Sequence, residues 1–171
     1  MNVFLTGESH VGKSSLINRA LATRPDLRLG GFRTLALREP LPGAIGGVYM
    51  LDASQTQADC GLANRVGMRW RDRSPEGFPA MFDALGVRLL DPSSADLLPM
   101  DELGFLERDA RRFQAAVFRA LDSQTPVLGA LRAQATPFLN AIRARDDVRV
   151  FTVTIENRDS LLPRLCEALT I

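Results

Sequence analysis

Apolar and polar positions along the chain follow two periods, one typical of buried strands and one typical of amphipathic helices. An apolar run over residues 2–6 leads directly into a glycine-rich turn, and helical spacing follows over residues 14–22. Pro25 marks the end of this helix, because the residue before a proline avoids helical backbone angles. The N-terminal pattern therefore predicts a strand, a loop and a helix in that order.

The next part of the chain predicts a hairpin followed by a long loop. Two stretches rich in strand formers, residues 29–39 and 47–51, flank the turn sequence of residues 40–43, which contains two prolines and a glycine. Residues 52–78 are polar, rich in Arg, Asp, Ser and Gly, and without a clear period. We therefore expect a hairpin and then a long loop, which in a compact domain is often mobile or functional.

The second half of the chain alternates between helices and strands. Helical spacing is found over residues 78–90, 107–121, 137–144 and 158–168. Apolar runs predict strands over residues 95–100, 126–131 and 148–153. Such alternation favours a mainly parallel central sheet, because the connecting helices cover both of its faces. The sequence thus predicts an α/β fold with a β-hairpin insertion.

Length, composition and charge favour one ordinary globular domain. Of the 171 residues, 46% are hydrophobic and 24% are charged, and the net charge is +1. This length suits one domain with its own core, and the near-neutral charge offers no basic stripe for nucleic acid. We expect a single domain over residues 1–171 that is a monomer and does not bind nucleic acid.

The N-terminus and the cysteines bear on where the protein works. The first residues lack the charged and apolar regions of a signal peptide, and no apolar run approaches the roughly 18 residues that span a membrane. The two cysteines, Cys60 and Cys166, lie far apart and lack metal-type spacing. We expect a cytoplasmic protein with reduced thiols and no membrane partner.

The glycine-rich turn after the first strand carries the strongest functional signal. Its pattern, G-x-x-x-x-G-K-[ST], is met by Gly7-Glu8-Ser9-His10-Val11-Gly12-Lys13-Ser14. Unpaired amides and the positive end of the helix dipole attract polyphosphate at such a helix start. Of the 21 Lys and Arg residues only Lys13 is a lysine, and a compact ammonium enters a phosphate cradle that a planar guanidinium cannot. We expect this turn, a P-loop, to bind a nucleoside triphosphate.

Individual residues of the P-loop have separate expected roles. We expect Lys13 to bridge the β- and γ-phosphates, Ser14 to coordinate Mg²⁺ and Ser15 to contact the α-phosphate. The variable positions, residues 8–11, supply backbone amides in this interpretation. His10, the only histidine of the chain, has a pKa range suited to proton transfer. Because it stands among those variable positions, we expect it to supply its backbone amide, with a role in proton transfer as the alternative.

An acidic pair follows the apolar run of residues 95–100. Asp101 and Glu102 are predicted at the carboxyl end of a strand, where α/β sheets bind ligands. We expect Asp101 to hold Mg²⁺ through water and Glu102 to polarise the water that attacks the γ-phosphorus. The alternative is that the pair simply begins a solvated loop. Pro99 lacks a ladder donor, so we expect the strand to start or bulge there.

Two further residues have both a structural and a functional interpretation. Glu107 stands at the start of a predicted helix, where its carboxylate either interacts with the helix dipole or orders the site. Arg132 follows the strand of residues 126–131. It is either a surface arginine or a sensor of the γ-phosphate that acts as an internal arginine finger. The sequence leaves both alternatives open.

With these motifs, the chain resembles the small P-loop nucleoside-triphosphatases first described in thermophiles, called cancer-related nucleoside-triphosphatases in animals. The similarity rests on the P-loop, Gly30-Gly31-Phe32-Arg33-Thr34, Met100-Asp101-Glu102-Leu103-Gly104 with Glu107, and residues 147–159 with Asn157-Arg158-Asp159. It implies a RecA-like sheet, Mg²⁺ dependence, and hydrolysis of ATP, GTP and other nucleoside triphosphates with loose base selectivity. Residues 7–14, Asp101 and Glu102 are the positions that carry over.

Two other functions use the same motifs. A small-molecule or nucleotide kinase would share the phosphate cradle and need an arginine-rich lid, for which the sequence offers Arg65, Arg69, Arg71 and Arg73. A nucleotide switch would change the order of residues 52–78 and present them to a partner protein. Hydrolysis without an acceptor or a partner would separate the leading interpretation from both.

Overall fold

The computed structural model describes residues 1–39 and 42–168. Its elements in chain order are β1 (Asn2–Thr6), α1 (Lys13–Ala22), β2 (Arg33–Ala36), β3 (Ala44–Leu51), β4 (Arg65–Trp70), β5 (Glu76–Gly77), α2 (Pro79–Leu89), β6 (Leu98–Leu103), α3 (Arg111–Leu121), β7 (Val127–Leu131), α4 (Pro137–Arg143), β8 (Val148–Thr152) and α5 (Arg158–Ala168). Within the described ranges no helix is long and apolar enough to cross a membrane. Most predicted elements are confirmed to within a few residues at each end.

The central sheet is parallel, with the strand order β6-β7-β1-β8. Successive side chains of a strand point to opposite faces, and β1 shows this clearly. Val3 and Leu5 pack with α1 and α5, whereas Phe4 packs with α2, α3 and α4 on the other face. The expected parallel sheet with helices on both faces is therefore confirmed.

A second sheet is antiparallel, with the order β2-β3-β4-β5. The predicted pairing of β2 with β3 is confirmed, while Pro40 and Leu41 of the predicted turn lie outside the described residues. Val48, Met50 and Val66 of this sheet join the core on the α2 and α3 face of the parallel sheet. The hairpin insertion is thus larger than predicted.

The long loop predicted over residues 52–78 is wrong, because β4 and β5 lie within it. Two short 3₁₀ turns precede β4, over Gln57–Asp59 and Leu62–Asn64. Gly67 and two arginines interrupt the apolar pattern that would mark β4 as a strand in the sequence. The strand forms because it pairs with β3. Local propensity carries little information where a strand depends on such cross-strand contacts.

Pro99 lies inside β6, opposite Leu128 of β7. The amide of Leu98 donates towards β7, to Pro126, and the amide of Asp101 donates the other way, to Phe32. Donors alternate in this way along a strand, so the missing N–H of Pro99 falls on the side away from β7. The strand starts at Leu98 and keeps its pairing at the proline, and its irregularity lies further on.

Candidate functional site

The P-loop joins β1 to α1 at the carboxyl edge of the parallel sheet. Gly7, His10 and Gly12 have positive φ angles of 140°, 64° and 103°. A side chain on Gly7 would collide with the carbonyl oxygen of Val153, so this position of the turn requires glycine, which has no side chain. The curled backbone places the loop at the start of α1, where unpaired amides favour anions.

Lys13 lies inside this curl. Its Nζ donates to the carbonyl oxygens of Gly7 and Glu8, at 3.0 and 2.8 Å. Only 6% of the residue is exposed. The ammonium therefore sits against the P-loop backbone, close to where the loop would hold phosphate. Charged phosphate oxygens are stronger acceptors than neutral carbonyls.

Ser14 and Asp101 form a pair beside Lys13. The Ser14 hydroxyl donates to Oδ1 of Asp101 at 2.9 Å, and the amide of Thr34 donates to Oδ2 at 3.3 Å. Burial raises the pKa of Asp101, and the bonds from Ser14 and Thr34 oppose this rise. Hydroxyl and carboxylate oxygens are the hard ligands that suit Mg²⁺.

The oxygen ligands that Ser14 and Asp101 offer suit Mg²⁺ better than they suit a metal ion whose ligands all come from the protein. Among residues 1–39 and 42–168 no three His, Cys, Asp or Glu side chains gather into a metal cluster. Mg²⁺ usually takes one or two protein oxygens and fills its other positions with water and substrate phosphates. Ser14 and Asp101 match that pattern.

A β-bulge in β6 aims the acidic pair. Regular pairing with β7 holds at Met100 and resumes at Leu103, with one extra residue between them on the β6 side. Glu102 has a positive φ of 40°, which is rare for a residue with a side chain. A bulge bends its strand and redirects the side chains. The strand therefore continues through the acidic pair, where the sequence predicted its end.

The bulge brings Glu102 to Arg132, which follows β7. The Arg132 Nε donates to Oε1 of Glu102 at 2.7 Å, and the Arg132 amide donates to the Leu103 carbonyl at 2.9 Å. Gly104 leaves room for the arginine, because a side chain there would come within 2.9 Å of Cδ. Arg132 is thus held beside Glu102 by two hydrogen bonds.

One cleft of about 350 Å³ joins these groups. It is lined by Ser9, His10, Gly12, Lys13, Ser14, Ser15, Glu102 and Arg132. Asp101 borders it through its bond with Ser14. The structure therefore gathers around one space the residues that the sequence marked for phosphate, for metal and for catalysis.

Glu107 lies under this site rather than at a helix start. The helix expected to begin there begins at Arg111, so the helix-dipole interpretation is wrong. Glu107 is 3% exposed, and its Oε1 accepts the amide hydrogen of Gly104. Burial raises its pKa to about 7, although the Gly104 bond and the charge of Arg132 act in the opposite direction.

Glu107 should make the stability of the protein depend on pH. Its pKa is raised from 4.5 to about 7 on folding. The stability that the buried, protonated carboxyl contributes is therefore full below pH 4.5 and is lost as the pH rises through 7. We expect wild type to lose up to about 3 kcal/mol of unfolding free energy relative to Glu107→Gln over this range. Urea unfolding at pH 5 and pH 8 measures the difference. Equal pH profiles for the two proteins would contradict the raised pKa.

Two contacts at the site were not predicted from the sequence. The Thr34 amide donates a hydrogen bond to Asp101. The segment that contains Gly31 and Thr34 can lie close to β6 because a side chain at Gly31, which would collide with the Pro99 carbonyl, is absent. Arg158 lies against Gly12 of the P-loop. Both segments carry motifs of the family resemblance, Gly30-Gly31 and Asn157-Arg158-Asp159, and those motifs were the available signal.

The chain is similar in sequence to several known proteins. A family model described as NTPase matches residues 2–166. The nucleoside-triphosphatase THEP1 of Thermotoga maritima is 29% identical over 174 residues, covering 99% of this chain and 95% of that protein. The cancer-related nucleoside-triphosphatase homolog of Mus musculus is 31% identical over 183 residues, covering 95% and 93%.

Two solved structures share the fold. The crystal structure of THEP1 from the hyperthermophile Aquifex aeolicus superposes with a TM-score of 0.77 over all of both chains, at 19% identity. The solution structure of a human cancer-related nucleoside triphosphatase gives a TM-score of 0.70 at 28% identity, covering 99% of this chain and 97% of that one. The predicted α/β fold of the P-loop type is confirmed.

Proposed function

Since the chain belongs to the NTPase family and is a nucleoside-triphosphatase, we propose that it uses Mg²⁺ and accepts ATP, GTP and other nucleoside triphosphates. The observation that carries this proposal is the cleft in which the P-loop, the Ser14–Asp101 pair and Glu102 meet. Phosphoryl transfer needs mainly positioning and charge stabilisation. Each of these residues supplies either positioning or charge stabilisation.

The P-loop binds and orients the triphosphate in this proposal. The amides of residues 7–15 face the phosphate oxygens, and the Lys13 ammonium exchanges its two carbonyl acceptors for charged phosphate oxygens. Ser14 and Asp101 would hold Mg²⁺, which supplies charge neutralisation at the phosphates when it is bound. The existing bond between Ser14 and Asp101 keeps both oxygens at one place before substrate arrives.

Glu102 is the proposed general base. Its carboxylate accepts a proton from the attacking water as the water oxygen bonds to the γ-phosphorus and the bond to the leaving diphosphate breaks. Arg132 now holds Oε1 of Glu102 at 2.7 Å. A γ-phosphate in the cleft competes for the same guanidinium, so substrate binding would release the carboxylate and place Arg132 on the transferred group.

The direct test is product formation by purified wild type with ATP, GTP, CTP and UTP. We expect diphosphate and phosphate in equal amounts from all four, and loss of activity when EDTA removes Mg²⁺ and its return when Mg²⁺ is restored in excess. Chromatography of nucleotides, beside a colorimetric phosphate assay, measures both products. Full activity in EDTA would contradict the metal assignment, and turnover of one nucleotide alone would contradict loose base selectivity.

Phosphoryl transfer to a small acceptor is a second candidate, favoured by a cavity of about 340 Å³ beside Glu102. The lining includes the apolar side chains of Phe32, Phe82 and Phe113 and the charged side chains of Asp101 and Arg132, and a single water takes only about 30 Å³. Diphosphate in excess of phosphate, when hydroxyl-bearing metabolites are added to the same assay, would favour transfer over hydrolysis.

The arginines expected to form a kinase lid are held in or near the antiparallel sheet. Arg65 pairs with Glu39 at 3.6 Å, Arg69 donates to the Leu37 carbonyl at 2.8 Å, and Arg73 lies over the Trp70 ring. The switch hypothesis loses its main support for a related reason. It relied on a long loop over residues 52–78, and this segment contains β4 and β5.

A further inference from the structure

The loop after β8 lies on the far side of the P-loop from Glu102. In the sheet, β6 and β7 flank β1 on one side and β8 flanks it on the other. Glu102 and Arg132 stand near the ends of β6 and β7, so the proposed hydrolysis requires the γ-phosphate end of a bound triphosphate to lie towards them. The α-phosphate and the nucleoside therefore extend the other way, towards the residues that follow β8.

The Arg158 side chain meets the P-loop on this side. Its Cδ and Nη1 lie 3.6 and 3.7 Å from the point that a side-chain carbon on Gly12 would occupy. It is the first residue of α5, where the helix dipole disfavours a cation. The carboxylate of the neighbouring residue, Asp159, lies 2.8 Å from the Arg19 guanidinium and 3.9 Å from the Arg158 guanidinium. A half-exposed guanidinium is thus held beside the P-loop, and within residues 1–39 and 42–168 its one ion pair is the long contact with Asp159.

Ile155 stands in the same loop and is 72% exposed. Its exposure comes from a fixed loop, because Thr154 and Asn157 bond to each other twice. The Thr154 amide donates to the Asn157 side chain at 2.8 Å, and the Asn157 amide donates to the Thr154 hydroxyl at 3.2 Å. The Asn157 side chain also donates to the carbonyl of Thr152 at 2.9 Å. A loop held by these hydrogen bonds thus presents a large aliphatic side chain to solvent, two residues after Val153, whose carbonyl oxygen lies at Gly7 of the P-loop.

We propose that residues 153–158 form the nucleobase site, in which the base stacks on the Arg158 guanidinium and contacts the Ile155 side chain. This inference rests on the proposed function, since it places the base of the same substrate. A planar cation and an aliphatic surface bind the face of any base, whereas selectivity requires hydrogen bonds to base edges. The site therefore binds purine and pyrimidine nucleotides alike, and it accounts for the loose base selectivity proposed above.

Comparison of ATP with inorganic tripolyphosphate tests the base site, because tripolyphosphate fills the phosphate cradle without a base. Calorimetry with Mg²⁺ gives both dissociation constants for wild type, Arg158→Ala and Ile155→Ser. We expect each variant to weaken ATP and UTP binding about tenfold, as the loss of one stacking or apolar contact with a base does, and to leave tripolyphosphate binding unchanged. Arg149→Ala, which removes an exposed arginine from β8, is the matched control and should change neither.

Other results would overturn the inference. An equal loss of ATP and tripolyphosphate binding in Arg158→Ala would place this arginine on the phosphates, and unchanged binding in both variants would place the base elsewhere. A wild-type protein that binds neither ligand would instead overturn the proposed function, because the phosphate cradle itself would have failed.

Discussion

Lys13→Arg should greatly weaken nucleoside triphosphate binding although it keeps the positive charge. Lys13 is nearly buried and reaches the carbonyl oxygens of Gly7 and Glu8 with a compact ammonium. The planar guanidinium is wider and has fixed donor directions, so it cannot enter the same curl of backbone. We expect affinity to fall at least about a hundredfold, the effect of losing roughly 2.7 kcal/mol of charged contacts, and phosphate release to fall below detection.

Calorimetric titration with ATP and a phosphate-release assay measure this prediction. Lys13→Ala should match Lys13→Arg, because both lack an ammonium in the cradle. Arg19→Lys, a change between the same two residue types on an exposed position of α1, is the control and should behave as wild type. Thermal melting of each protein separates a local effect from unfolding. Normal ATP binding by a folded Lys13→Arg would contradict the assigned role of this lysine.

Glu102→Gln should bind substrate normally and hydrolyse it about a hundredfold to ten-thousandfold more slowly, the usual contribution of a general base. The amide has nearly the same shape and can still accept a hydrogen bond from Arg132, whose Nε lies 2.7 Å from Oε1 of Glu102. It cannot take the proton of the attacking water. The loss should therefore appear in kcat, while the dissociation constant for ATP stays within about twofold of wild type.

Single-turnover kinetics and equilibrium binding separate these two quantities. Glu167→Gln, the same change at an exposed position of α5, is the control for losing one carboxylate. If Glu102→Gln releases phosphate at the wild-type rate, another group activates the water. If it loses affinity and rate together, Glu102 holds the substrate and its assigned role as the base is wrong.

Short-range patterns in the sequence were sufficient to predict most of the parallel core. The strand of residues 2–6, the P-loop and the first helix follow one another without a break, and each is specified by neighbouring residues. Glycines at positions 7 and 12 take the positive φ angles that the turn needs. Such motifs can be predicted because the physical requirement and the residues that meet it lie within a few positions of one another.

Predictions failed where distant segments decide the structure. Residues 65–70 were expected in a loop and form β4, because β3 supplies their hydrogen-bonding partners. Glu107 was expected at the start of a helix and is buried in a turn, where it bonds to Gly104. Neither outcome is encoded in local propensity, since cross-strand pairing and burial depend on the completed fold.

The sequence by itself determined the α/β fold and the chemical types at the site: a phosphate cradle, a lysine, a hydroxyl and two carboxylates. Only the tertiary structure decided how they meet. The bulge in β6 turns Asp101 towards Ser14 and Glu102 towards Arg132, and β8 brings Arg158 to Gly12. A motif fixes its residue types within a few positions, whereas the pairing of parallel strands sets which distant residues share one edge of the sheet.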